Sequence, residues 1–230
     1  MSTLEGVPSG FAAARDGIDA LLRDRGLRRS TPEQTADSLL RGAHASAVLE
    51  GSGSSLEQVR EGAGDEVAQA ALRVSAELLS LVPVLARSPL QAFARLHTLA
   101  GSGVLEEDRL GRPADEPAAD RLSTLARTLL TTSAPAMLVA AVAHAELATV
   151  APFASHNGIV ARAVERLVLV ARGVDPASLV VPEAGHLALR REYESNLRGY
   201  RDGGRAGVHA WLLYAAEAYA RGAEGSPLRS

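Results

Sequence analysis

The sequence contains no cysteine and no lysine, and only 3% of its residues are aromatic. The lack of cysteine excludes disulfide scaffolds, thiol nucleophiles and cysteine-ligated zinc. The net charge of −3 lacks the basic excess of a protein dedicated to DNA or RNA. No apolar run approaches the roughly 18–20 residues of a membrane span, and the N-terminus lacks the features of a secretory signal. We therefore expect a cytoplasmic protein with no membrane and no nucleic-acid partner.

Helical periodicity dominates what is present. Of the 230 residues, 47% are hydrophobic, which is ample for a core. The string TPEQ at 31–34 has the form of a capping box and predicts a helix that ends near Glu50 and Gly51. Asp65 is placed to cap a second helix, which Pro83 should interrupt. The string SPLQ at 88–91 predicts another capped helix start.

The rest of the chain continues this pattern after a loop of roughly 15 residues at 101–117. No run alternates with period two for long enough to support a sheet, so we predict an all-α fold. We expect one compact domain of about seven to nine helices with the apolar helix 133–150 at its centre. The predicted segments are an N-terminal helical segment at 1–60, the main helical domain at 61–222 and a tail at 223–230. Helices of the main domain are predicted near 117–130, 133–150, 157–172, 183–200 and 208–220.

The segment 151–162, which reads APFASHNGIVAR, joins two predicted helices by a short polar turn. The turn runs directly into a helix N-terminus, where backbone N–H groups and the helix dipole favour an anion such as phosphate. Arg162 lies about one helical turn further along and could reach the same anion. The alternative is an ordinary capped turn without a ligand.

This segment resembles the motif of the Fic family, HPFx(D/E)GNGRxxR. Five positions match: Pro152, Phe153, Asn157, Gly158 and Arg162. The resemblance covers roughly residues 60–220, and it implies a compact Fic-like helical domain. Outside the motif it rests on Leu96, His97, Ala143, His144, Gly173, Arg191, Tyr193, Leu197, Trp211 and Leu212.

A second element of the resemblance precedes the main domain. Residues 46–51, SAVLEG, fit the Fic inhibitory-helix pattern (S/T)xxxE(G/N), which implies a regulatory role for Ser46, Glu50 and Gly51. In such relatives the glutamate pairs with the final arginine of the motif and blocks the place of the ATP γ-phosphate. By analogy, Glu50 should pair with Arg162. The alternative is an ordinary helix end, with Glu50 solvated and Gly51 as the cap.

The departures from the motif fall on the residues that perform chemistry in active Fic enzymes. Ala151 replaces the histidine general base, and a methyl group accepts no proton. Ser155 replaces the acidic Mg²⁺ ligand, which argues against Mg²⁺. His156 and Ile159 replace the first glycine and the first arginine. The resemblance thus implies no catalytic residue and no metal ligand. It leaves candidate residues for ATP or another phosphate-bearing ligand: His156, Asn157, Gly158 and Arg162.

The histidines can each be explained without a catalytic role. His156 lies within the anion loop itself, so we expect a loop residue or a ligand contact rather than a replacement base. His144 and His97 lie on apolar helices and are expected to be satisfied core histidines. We expect His44 on the surface or between helices.

Residues 101–117 lie where active Fic proteins carry a β-hairpin flap that aligns the target segment. This stretch lacks β-branched alternation, so we expect no working flap.

Four functions remain open at this point. The first is a Fic-like protein that has lost ordinary AMP transfer and acts as a regulator or an anion-binding module. The second is a Fic-like nucleotidyl or phosphoryl transferase with non-standard chemistry. The third is an all-α transcriptional regulator, but residues 1–40 carry five arginines against six acids, which disfavours DNA binding. The fourth is one half of a toxin–antitoxin pair. A homodimer is compatible with the resemblance, and no protein target or partner is identified.

Overall fold

The computed structural model describes residues 4–23 and 31–229, and within these ranges it contains twelve α-helices and no β-strand. The all-α prediction is therefore confirmed. The helices are α1 (Val7–Leu21), α2 (Pro32–Leu49), α3 (Leu56–Arg60), α4 (Glu66–Glu77), α5 (Val82–Arg87), α6 (Pro89–Gly101), α7 (Glu116–Thr131), α8 (Ala136–Val150), α9 (Asn157–Ala171), α10 (Pro182–Ala188), α11 (Arg190–Asp202) and α12 (Gly204–Glu224).

The helix count exceeds the seven to nine predicted, because short breaks divide two long helical runs. A 3₁₀ turn at Leu78–Leu81 separates α4 from α5, and Pro83 lies in the first turn of α5, as predicted. The helix predicted at 183–200 is two helices, since Leu189 leaves helical geometry with φ −111° and ψ 37°. The short helix α3 was not predicted.

Two predicted helix caps are present and one is not. Thr31 and Gln34 form the reciprocal capping box of α2, and the Asp65 side chain accepts the N–H of Ala68 at the start of α4. The capping box predicted at 88–91 is wrong, because the Ser88 side chain makes no cap bond. Ser88 also ends α5, where its N–H donates to the Val84 carbonyl, and this double role sets its backbone at φ −147° and ψ 79°.

Helices α8 and α9 pack along each other at the centre of the fold. The expected burial of α8 is observed, with eight of its 15 residues buried, but α9 is more buried still, with eleven of 15. The Trp211 indole N–H donates to the Ala141 carbonyl at 2.8 Å and ties α12 to α8. Helix α2 packs against α4, α9 and α10. This packing brings the C-terminus of α2 to the N-terminus of α9.

Residues 102–115 contain a 3₁₀ turn at Glu107–Arg109 but form no hairpin, in agreement with the prediction that a flap is absent. An antiparallel bridge joins Pro113 to Phe153, and the Ala114 N–H donates to the Pro152 carbonyl at 2.8 Å. The loop therefore lies beside the α8–α9 turn.

One helical run, Glu66–Arg87, is long and apolar enough to cross a membrane by length and composition alone. The prediction that no run approaches the length of a membrane span is therefore not met by this helical run. The run is the α4–α5 unit with its 3₁₀ break, and it packs against α2, α6 and α9. One such helix is weak evidence for a span, because core helices share this composition.

The predicted domain limits at residues 60 and 222 stay predictions, and α12 continues to Glu224. Residues 1–3 and 230, at the two ends of these predicted segments, lie outside the described residues, as do Arg25, Arg28 and Arg29 of the N-terminal charge count.

Candidate functional site

The turn between α8 and α9 is bounded by two residues in the left-handed region. Ala151 ends α8 with φ 48° and ψ 59°, and His156 precedes α9 with φ 56° and ψ 20°. A residue with a Cβ adopts this region at a cost of about 1–2 kcal/mol. Such backbone geometry persists only where the surrounding contacts hold it.

The Asn157 side chain supplies some of these stabilising contacts. Its Oδ1 accepts the Phe153 N–H and its Nδ2 donates to the Phe153 carbonyl, both at 2.9 Å. The Phe153 ring stacks on the buried His97 ring, with centroids 4.3 Å apart. The side chain of Asn157, a predicted binding residue, is thus occupied in shaping the loop. Of the polar groups of Asn157, this leaves the backbone N–H as the one that could donate to an anion.

Gly158, the next predicted binding residue, lies directly against Glu50. A Cβ at position 158 would collide with Glu50 Oε1 and would approach Arg162 Nη1 to 3.1 Å. The absence of a side chain therefore leaves room for the carboxylate at the first turn of α9. This is the positive end of the helix dipole, where an anion is stabilised.

Arg162 is fully buried and has four hydrogen bonds. Its Nη2 donates to Glu50 Oε1 at 2.8 Å and to the Ser46 carbonyl at 3.1 Å. Its Nε donates to Ser46 Oγ at 2.9 Å, and its Nη1 donates to the Tyr193 hydroxyl at 3.1 Å. Burial alone would lower the pKa of Arg162, but the Tyr193 hydroxyl oxygen and the Glu50 carboxylate beside it raise that pKa, so the guanidinium stays charged.

The C-terminus of α2 has features of both structures considered for residues 46–51, the inhibitory motif and the ordinary helix end. Gly51 adopts φ 96° just after the helix, as a terminating glycine does, and its N–H donates to the Val48 carbonyl at 3.0 Å. Glu50 nevertheless pairs with Arg162 instead of extending into solvent, with 32% of its side chain exposed. The predicted ion pair is present.

The positions of the lost catalytic groups hold no substitute that fits Mg²⁺. Ala151 presents an exposed methyl group. Ser155 offers one neutral oxygen, which lies 2.6 Å from His156 Nδ1 and is already engaged there. Burial lowers the pKa of His156, although the charge of Glu50 opposes this. Two neutral, mutually bonded groups do not make the carboxylate-rich site that Mg²⁺ prefers.

We expected both ring nitrogens of His97 and of His144 to have hydrogen-bond partners. Both rings are buried, but each is only partly hydrogen-bonded. His97 Nδ1 accepts the Gly111 N–H at 2.9 Å, while its Nε2 has no hydrogen-bond partner. His144 Nε2 lies 3.0 Å from the Tyr193 hydroxyl, but its Nδ1 makes no directed hydrogen bond. The prediction of satisfied core histidines is therefore wrong for one nitrogen of each ring.

Behind Arg162 lies a buried polar network that sequence reasoning missed. Tyr193 connects Arg162 to His144, and His144 adjoins Glu165 and His186. These side chains come from α8, α9, α10 and α11, and no spacing rule links them. The only signal in the sequence was a charged residue, Glu165, on the apolar helix α9.

No family model matches the sequence, and no curated protein matches it either. Solved structures are similar over most of the chain. A Fic family protein from Desulfovibrio desulfuricans superposes with a TM-score of 0.79 at 17% identity, covering 97% of this chain and 74% of that one. Fic-1 from C. elegans superposes with a TM-score of 0.70 at 16% identity, covering 95% of this chain and 72% of that one. The chain thus has the helical fold of the Fic proteins.

Proposed function

We propose that this chain is a Fic-like regulatory protein that has lost ordinary AMP transfer and binds ATP or another phosphate-bearing ligand at the α8–α9 turn under the control of Glu50. The observation that carries the proposal is the position of the Glu50 carboxylate between Gly158 and Arg162. A carboxylate held by an arginine at a helix N-terminus occupies a place suited to a phosphate oxygen.

The burial of Arg162 explains why two anions would compete for one place. Removing one partner of a buried ion pair costs about 3–5 kcal/mol, because it leaves an uncompensated charge. Arg162 is 1% exposed, so it needs an anion at all times. Glu50 stands at a helix end beside Gly51 and is partly exposed, which suits a group that gives way to a ligand.

Loss of AMP transfer follows from Ala151 and Ser155. The target hydroxyl needs a proton acceptor when it attacks the α-phosphate, and the Ala151 methyl group provides none. Ser155 supplies no negative charge to hold a divalent cation. We expect no transfer of label from α-labelled ATP to the protein itself or to general protein targets, and appearance of such label would contradict this part of the proposal.

The decisive experiment is calorimetric titration of ATP into the Glu50→Gly variant. We expect its affinity for ATP to exceed that of wild type by at least tenfold, because the competing carboxylate is gone. The matched control is Glu61→Gly, since Glu61 also ends a helix and precedes a glycine of positive φ. This control should bind ATP as wild type does.

Arg162→Ala in the Glu50→Gly background should abolish the gained affinity. Equal affinity in wild type and Glu50→Gly would remove the regulatory role of Glu50. No binding by Glu50→Gly at millimolar ATP would show that the turn is not a nucleotide site.

One contact favours the second candidate, a transferase with non-standard chemistry. Ser155 Oγ and His156 Nδ1 are 2.6 Å apart, which is the distance of a nucleophile and its base. If this pair is active, label from α- or γ-labelled ATP should attach to the chain and disappear in Ser155→Ala. The homodimer, the protein partner and the cytoplasmic localisation stay predictions.

A further inference from the structure

Three buried side chains from three helices converge in the centre of the fold. His144 comes from α8, Glu165 from α9 and His186 from α10, and all three side chains are fully buried. His144 Nδ1 and His186 Nε2 each lie 2.9 Å from Glu165 Oε2. One donor atom of each residue lies within 4.8 Å of the other two.

We propose that His144, Glu165 and His186 form a buried structural site for a divalent transition-metal ion of the zinc type. Two imidazole nitrogens and one carboxylate oxygen are a donor set that Zn²⁺ binds. A water molecule or the second oxygen of Glu165 would complete four ligands. This site is separate from the α8–α9 turn, so its existence does not depend on the proposed nucleotide binding.

Each of the three ligands is held from behind by a tyrosine hydroxyl. His144 Nε2 lies 3.0 Å from Tyr193, His186 Nδ1 lies 2.8 Å from Tyr214, and Glu165 Oε1 accepts from Tyr219 at 2.9 Å. Metal-binding histidines and carboxylates have such partners on their second atom, which fix ring orientation and tautomer. Three of the four tyrosines in the sequence are used in this way.

His144 Nδ1 provides an independent indication. It lies 2.9 Å from Glu165 Oε2, yet it is fully buried and makes no directed hydrogen bond. Buried polar atoms rarely lack a partner, and each exception requires an explanation. His186 Nε2 makes a hydrogen bond to the same Glu165 oxygen at 2.9 Å, so only His144 Nδ1 among the three donor atoms lacks a directed partner, and a bound cation would provide one.

The charges also suit a cation. Glu165 is buried against His144, His186 and Tyr219, and none of these three side chains carries a permanent positive charge. Nearby Arg162 is already balanced by Glu50. The carboxylate therefore lacks a counter-charge unless a metal ion or an added proton supplies one.

The experiment uses the full chain purified without a polyhistidine tag and stripped with a chelator. Zn²⁺ or Co²⁺ is offered to the folded chain and also during refolding, because the site is closed to solvent. We expect one ion per chain by elemental analysis and a higher midpoint of thermal unfolding. The Co²⁺ form should show two hyperfine-shifted, exchangeable imidazole N–H signals by NMR, one from each histidine.

Variants distinguish the cluster from adventitious binding. His186→Gln should abolish stoichiometric uptake, whereas His44→Gln, on α2 outside the cluster, should not. Tyr214→Phe preserves shape and should weaken Zn²⁺ binding ~10–100-fold, with Tyr200→Phe as its matched control. A wild-type chain that takes up no stoichiometric Zn²⁺ or Co²⁺ under either condition would overturn the proposal and assign the counter-charge to a proton. Unchanged uptake in His186→Gln would overturn it equally.

Discussion

Glu50 Oε1 lies 2.8 Å from Arg162 Nη2, although 112 positions separate the two residues in the chain. The contact joins the end of α2 to the second turn of α9, and it puts a carboxylate against Gly158 in the first turn. Its consequence is that a guanidinium buried in the core is satisfied by a side chain near the surface. About one-third of the Glu50 side chain is exposed to solvent, whereas the Arg162 side chain is almost completely buried.

Replacing Ser46 with alanine tests how strongly the fold depends on this guanidinium. The change removes the Oγ that accepts from Arg162 Nε and leaves a buried donor unsatisfied. We expect a loss of about 1–3 kcal/mol in the free energy of unfolding, measured by urea denaturation. Ser123→Ala, on an exposed face of α7, should change it by less than about 0.5 kcal/mol. Equal losses would mean that the Ser46 contact contributes nothing specific.

Gly158→Ala should act through Glu50. The added methyl group needs the space that Glu50 Oε1 occupies, so the ion pair with Arg162 must give way. We expect the change to destabilise wild type by about 1–3 kcal/mol and the Glu50→Gly variant by clearly less. A double-mutant cycle measures the coupling, which should exceed about 0.5 kcal/mol. Additive effects would show that the methyl group and the carboxylate do not compete.

Asn157→Ala should loosen the α8–α9 turn. Both hydrogen bonds that Asn157 makes to the Phe153 backbone are lost, which we expect to cost about 1–3 kcal/mol of the free energy of unfolding. Hydrogen exchange at the Phe153 amide should accelerate. Asn196, the only other asparagine, lies partly exposed on α11 and provides the control Asn196→Ala. Unaltered hydrogen exchange at the Phe153 amide would contradict this stabilising role of the Asn157 side chain.

The free energy of unfolding should rise with pH between about 4 and 6.5. Burial lowers the pKa of His97 from 6.5 to about 4, so in this window the unfolded chain binds a proton that the folded chain refuses. This contribution is complete above pH 6.5 and is lost as the pH falls toward 4. His144, whose pKa is also lowered to about 4, acts in the same direction.

His97→Asn separates this contribution from others. The asparagine oxygen can still accept the Gly111 N–H, but it does not titrate. We expect the slope of the unfolding free energy against pH to fall by an amount that integrates to about 1–3 kcal/mol over the window. Denaturant titrations along the pH series measure it, and an unchanged slope would exclude His97 as a source of the pH dependence.

The sequence by itself determined the helical class, the caps of α2 and α4, and the interruption at Pro83. These features depend on interactions within about four residues, so local spacing is sufficient to predict them. Even here the limit is visible at Ser88, where a locally correct capping pattern fails because the same residue must end the preceding helix.

Only the tertiary structure decided which distant groups meet. The resemblance suggested that Glu50 pairs with Arg162. The burial of Arg162 and its hydrogen bonds to Ser46 and Tyr193 depend on how the helices pack. The same is true of the close approach of Glu50 to Gly158. The cluster of His144, Glu165 and His186 could not be predicted from local spacing, since three helices supply one residue each. Periodicity shows which face of a helix is buried, but not which neighbour that face meets. The packing of the whole chain determines that neighbour. It therefore also determines which polar groups meet at the centre of this protein.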